Sequence, residues 1–112
     1  MVPASDVAQN DEVTTLSPEE MTHRAREAAC LLKALSHEGR LMILCHLTAG
    51  ERSVSDLEVL LNARQAAVSQ QLARLRQDGL VSTRRDGKTV YYSIRDERVK
   101  RLLTTMYELF CV

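Results

Sequence analysis

Between residues 17 and 111 the apolar positions follow helical spacing, interrupted by one pair of strand-like runs. In Asn62–Gln77, Val68, Leu72 and Leu75 recur at i, i+4 and i+7 and define a buried stripe. Asn62 is the expected cap of that helix with Gln65 at the box position, and Gly79 is its expected left-handed stop. Met21, Ala25, Ala28 and Leu32 form the stripe of an earlier helix, which Ser17-Pro18-Glu19-Glu20 starts with a cap, a first-turn proline and a box acid. Ser36-His-Glu-Gly-Arg40 breaks it. Arg40–Leu47 follows, apolar nearly all round, as in a buried central helix, and Gly50 ends it. Ser53 or Ser55 caps a short helix from Val54 to Leu61. Asp96 caps the last, Glu97 to about Phe110, with Val99, Leu102, Leu103, Met106, Leu109 and Phe110 on one wide arc.

Leu80–Arg85 and Lys88–Ile94 are rich in β-branched and aromatic residues, and Asp86-Gly87 between them is a hairpin signal. The expected order is α-α-α-α-β-β-α, mainly helical with a β-hairpin wing. A short helix, a tight connection and a helix with a polar outer face make a helix-turn-helix. Residues 1–16 are polar and without period and read as a tail, leaving 17–112 as one domain.

Composition sharpens this picture. The chain has 112 residues, no Trp and one Phe, so Leu, Val, Ile and Ala must build the core. Net charge is zero, which by itself argues against a polyanion partner. The distribution argues for one: residues 62–101 carry +6 and residues 1–61 carry −5. No apolar run reaches membrane-spanning length, and no secretory signal precedes the domain, so no membrane is expected and the expected location is cytoplasmic. Cys30, Cys45 and Cys111 are then expected to be largely reduced.

Two sets of residues carry candidate chemistry. Arg64, Gln65, Ser69, Gln70 and Arg74 on the polar helix offer a guanidinium fork, amides and a hydroxyl, the groups that read base edges or hold nearby phosphates of double-stranded DNA. Arg84, Arg85 and Lys88 flank the hairpin turn and suit the sugar-phosphate backbone. The same charges also protect an edge strand against pairing. The second set is the thiols. No Cys-x-x-Cys, Cys/His or Ser/His/Asp arrangement suggests catalysis, so no enzyme and no cofactor are expected. His23, His37 and His46 show no ligand spacing, and no metal site is assigned.

Leu31–Leu44, Ala67-Val-Ser-Gln-Gln-Leu72 and Leu75-Arg-Gln-Asp-Gly-Leu-Val81 together resemble the ArsR/SmtB family of small dimeric repressors, over about residues 17–111. The resemblance implies a winged helix-turn-helix homodimer that releases operator DNA when an inducer binds. The wide apolar arc of the last helix, together with the first helix, is the expected two-fold interface. Where metalloid sensors of the family carry Cys-Val-Cys, this chain has Ser53-Val54-Ser55. Its last helix lacks the histidines of the zinc and nickel sensors. Cys45 and Cys111, with Tyr107 beside the latter, resemble the persulfide- and sulfide-responsive branch, the SqrR and BigR type. That resemblance implies a repressor bound to DNA when reduced, released when a persulfide or polysulfide bridges the two thiols, and controlling sulfide-responsive genes. Two other readings stand beside it. One is a general oxidant sensor forming a Cys45–Cys111 disulfide, and the other is a metalloid sensor using Cys30, Cys45 and Cys111.

Overall fold

The computed structural model describes residues 15–111, so nearly all of the tail expected over residues 1–16 lies outside the described residues. The chain divides into two compact units, one ending at Lys33 and one starting at Ala34. Helix α1 (Pro18–Leu35) accounts for most of the described first unit. It begins as its capping signals predict, with the Glu20 N–H donating to Ser17 Oγ at 3.1 Å. Its apolar stripe is not covered, and Met21 and Leu32 are exposed.

The second unit contains α2 (Glu38–Leu47), β1 (Arg52–Ser53), α3 (Val54–Leu61), α4 (Gln65–Gln77), β2 (Val81–Asp86), β3 (Thr89–Ile94) and α5 (Glu97–Phe110). Helix α2 packs against α3, α4 and β3, while α5 packs on β3. Ile43, Leu44, Leu47, Leu57, Val68, Leu72, Leu75, Leu80, Val81, Val99 and Leu103 are buried, an aliphatic core as the composition requires. The fold is the winged helix-turn-helix that the hydrophobic pattern predicts.

The structure adds one element and corrects several boundaries. Strand β1 was not expected. It is two residues long and pairs antiparallel with β3, Arg52 with Tyr92 and Ser53 with Tyr91, giving the sheet order β1-β3-β2. The two-residue turn of the wing is Gly87-Lys88 rather than Asp86-Gly87, because Asp86 pairs with Thr89 as the last rung of the ladder. Gly87 takes φ +62 at the first turn position while Lys88 stays at negative φ, as in a type II′ turn. Helix α2 starts at Glu38, earlier than Arg40, on an N-cap residue (His37) whose side chain makes no capping bond. It is also less buried than its sequence suggests, since Met42 and Cys45 are exposed.

Asn62 does not cap α4. It sits in the left-handed region (φ 50, ψ 49) and closes α3, where the Ala63 N–H donates to the Glu58 carbonyl at 3.1 Å. This six-to-one bond is the Schellman arrangement, and asparagine tolerates it better than most non-glycine residues. Arg64 is the N-cap of α4 and has no side-chain capping bond. Gly79 takes φ +76 after α4, as expected.

The start of α3 is settled in favour of Ser53. Its Oγ accepts from the Asp56 N–H at 3.1 Å, and its own N–H donates to Asp56 Oδ2 at 3.0 Å. Two otherwise unpaired donors are satisfied together. The backbone hydrogen bond from Ser53, and then the one involving its side chain, hold the Asp56 carboxyl below the usual carboxylate range. Ser53→Ala is expected to lower unfolding stability by about 1 kcal/mol in urea titrations. Asp56 is depressed in the folded state, so its contribution is full above its unfolded pKa near ~4 and is lost as pH falls through the lowered folded value. The variant should therefore lose less stability than wild type between about pH 5 and 2.

Candidate nucleic-acid interface and dithiol pair

The polar face of α4 exists because its opposite face is consumed by packing. Val68, Leu72 and Leu75 are fully buried. At 100° per residue this aims Gln70 and Arg74 away from the core, with Ala66, Ala73 and Gln77 beside them. The alanines keep that surface low, so a duplex could approach the backbone closely. Ser69 is half-buried on the flank, whereas Gln65 and Arg64 are exposed at the N-terminal end. Sequence reasoning missed the neighbouring His37, Arg40 and Gln77. They line one shallow polar groove with Gln70 and Arg74, formed where the start of α2 meets α4.

The cations differ in what they face. Asp78 receives two arginines, Arg40 of α2 at 3.6 Å and Arg74 of α4 at 3.5 Å, which tie the end of α4 to α2 and share the Arg74 charge. Arg84 is held by Glu51 through Nε at 3.1 Å and through Nη2, and it lies 4.8 Å from the centroid of the Tyr91 ring. The side-chain hydrogen bond to Arg84 holds the Glu51 carboxyl below its usual range and raises the Arg84 guanidinium. Arg64, Arg85 and Lys88 have no acidic partner among the described residues. Arg84 and Arg85 are adjacent on β2 and therefore point to opposite faces of the wing.

The two candidate thiols come from distant parts of the chain. Cys45 is on α2 and Cys111 follows α5 directly, its N–H donating to the Tyr107 carbonyl at 2.8 Å. Both are exposed. Partial burial pushes the Cys45 thiol up, and negative charge on Cys111 pushes it further, so the two sulfurs are within electrostatic reach. Cys30 lies on α1, is exposed, and belongs to the other unit. Among the described residues no three His, Cys, Asp or Glu side chains gather as a metal site. No helix of the described residues is long and apolar enough to cross a membrane.

The apolar arc of α5 is only half used. Val99 and Leu103 are buried and Leu102 and Met106 half-buried, but Leu109 is 72% and Phe110 81% exposed, and Tyr107 beside the arc is 60% exposed.

Residues 37–83, from the cap of α2 into β2, match the model of a family described as "Bacterial regulatory protein, arsR family". Over 91 residues the chain is 46% identical to the Biofilm growth-associated repressor of Agrobacterium fabrum, covering 81% of this chain and 78% of the relative. The crystal structure of the transcriptional repressor BigR from Xylella fastidiosa superposes with a TM-score of 0.78 at 42% identity, covering 87% of this chain and 99% of that one. A homodimeric winged helix-turn-helix DNA-binding domain from Mycobacterium bovis does so at 0.69 and 32% identity, covering 85% and 87%. Identity at this level over four fifths of the chain is shared descent rather than a shared fold alone, and the chain belongs to the arsR family of bacterial regulatory proteins.

Proposed function

We propose that the protein is a dimeric transcriptional repressor that binds operator DNA in its reduced form and releases it when Cys45 and Cys111 are bridged. It is a regulator rather than an enzyme, as its relatives are. One observation carries the sensing part: of the three cysteines, Cys45 and Cys111 interact electrostatically across 66 positions of chain. Support for the DNA part comes from the outward face of α4 and from the cations without acidic partners. Gln70 and Arg64 would reach base edges, with Gln65, Ser69 and Arg74 beside them, while Arg85 and Lys88 would hold phosphates. Support for the dimer comes from the uncovered stripe of α1, the uncovered end of α5, and the homodimeric relative.

The chemistry follows from thiol ionisation. Partial burial, and then negative charge on Cys111, hold the Cys45 thiol protonated more firmly than an ordinary cysteine, so Cys45 is assigned the second, resolving step. The Cys111 thiolate attacks the outer sulfur of a low-molecular-weight persulfide, giving a Cys111 persulfide and a released thiol. The Cys45 thiolate then attacks the Cys111 sulfur and expels hydrosulfide, leaving a disulfide and one hydrogen sulfide; where a second persulfide donor has first converted Cys45 to its own persulfide and released a thiol, the Cys45 persulfide displaces hydrosulfide instead and leaves a trisulfide. A disulfide needs Cα atoms about 4.4–6.8 Å apart. Closing it therefore fixes the end of α5 against α2, which packs on α4. Differential binding of about 1–3 kcal/mol between the two states suffices to release DNA roughly 5- to 150-fold.

These outcomes are expected. Reduced protein will select specific duplexes from a random library, and a glutathione persulfide donor will weaken binding to them about 5- to 150-fold; Cys45→Ser abolishes the response, whereas Cys30→Ser keeps it. Intact mass after the donor will show a bridge with or without added sulfur. A response to hydrogen peroxide, with loss of two hydrogens and no response to the donor, would instead identify a general oxidant sensor. In Cys30→Ser/Cys111→Ser, iodoacetamide labelling of Cys45 at neutral pH will be slower than labelling of a cysteine peptide, the gap narrowing as pH rises through the raised thiol range. Gln70→Ala will cost about 1–3 kcal/mol of discrimination between duplexes, and Arg85→Ala will flatten the salt dependence on all DNA by about 0.9 in log–log slope.

A further inference from the structure

Arg84 stands beside Arg85 on β2, near the cationic tip of the wing, yet the two have different surroundings. Strand residues two apart share a face, so Glu51 and Ser53 lie on one side of the β1 segment. Ser53 is opposite Tyr91, and Tyr91 is opposite Arg84. Glu51, Tyr91 and Arg84 therefore occupy one face of the three-stranded sheet. Arg84 lies against the Tyr91 ring and ends in a two-pronged bond to Glu51. Asp86 Oδ2 stands 4.0 Å from its remaining nitrogen. The guanidinium thus has a carboxylate on its edge, a ring on its face and a second acid nearby. The formal charge of this cluster is −1 even though an arginine is at its centre. Both partners stay partly solvated, Arg84 at 52% and Glu51 at 40% side-chain exposure, so a competing phosphate can reach the pair.

Resting on the DNA-binding reading above, we infer that Glu51 and Arg84 are positioning residues, which fix the wing against the segment before α3 and withhold Arg84 from the DNA backbone. The pair spans all three strands of the sheet, from the residue before β1, past β3, to β2. It sets the direction in which Arg85 and Lys88 project. It also keeps one face of the wing from adding sequence-independent affinity, which leaves discrimination to α4. A planar, two-pronged contact also fixes orientation, which lysine at position 84 would not do.

The test counts phosphates. Affinity of the reduced protein for a fluorescein-labelled 30-base-pair duplex of random sequence is measured by anisotropy over a sodium chloride series. Wild type is compared with Glu51→Gln and with Glu51→Gln/Arg84→Gln. In the double variant the pair is replaced by two neutral amides, so its net charge is unchanged and the slope of log K against log salt should equal that of wild type. In Glu51→Gln the freed Arg84 should steepen the slope by up to about 0.9 and tighten binding; Asp86 limits the gain. A double-variant slope flatter than wild type by about 0.9 would mean that Arg84 leaves Glu51 to hold a phosphate, and overturns the inference. So would a Glu51→Gln slope that is unchanged or flatter. Wild type with no salt-dependent binding to duplex would be a different failure, that of the DNA-binding reading itself.

Discussion

Burial of Val68, Leu72 and Leu75 is the constraint on which the remaining structure depends. A helix of this length has one face to give to a core, and giving it to these three residues leaves Gln70 and Arg74 pointing outward. The same burial orders the neighbours. Helix α2 contributes Ile43, Leu44 and Leu47, and α3 contributes Leu57, so the helices that hold α4 are themselves held by it. Polar positions on α4 can thus vary with little effect on packing, whereas Leu72→Ala would open a void worth about 2–5 kcal/mol. Separating these two kinds of position is what lets one scaffold present different reading surfaces.

Much of this was legible from the sequence where the deciding physics is local. Ser17, Ser53 and Asp96 act as caps because the amides they serve are within three residues, and Gly79 is left-handed because the chain must turn there. Asn62 was misread for an instructive reason. Asparagine suits both a helix start and a left-handed helix end, and only the fit of α3 against α2 and α4 chooses between them. The turn of the wing was displaced by one residue because glycine satisfies either central position of a primed turn, while cross-strand pairing of Asp86 with Thr89 fixes the register. Strand β1 is too short to show any period.

Electrostatics was legible only as a sum. A +6 segment marks the part of the chain that carries α4 and the wing, but it counts Arg84 as an available cation. Its partner, Glu51, lies outside that segment, 33 positions earlier. Folding also places Asp78 between Arg40 and Arg74. Positive potential at the surface is therefore concentrated on fewer residues than the sequence contains. The thiols illustrate the reverse case: only the family resemblance pairs Cys45 with Cys111 in the sequence, and the fold brings charge on Cys111 to bear on Cys45.

The exposed end of α5 has a consequence for reagent access. Leu109 and Phe110 immediately precede Cys111, and each leaves most of its surface uncovered on the single chain. A second chain that covers this apolar surface changes the solvent around the thiol that follows it. The rate at which small reagents find Cys111 then varies with how much of the protein is assembled, and so with its concentration. On the proposed reading, abundance of the protein is then an input to its thiol chemistry, separate from the supply of inducer.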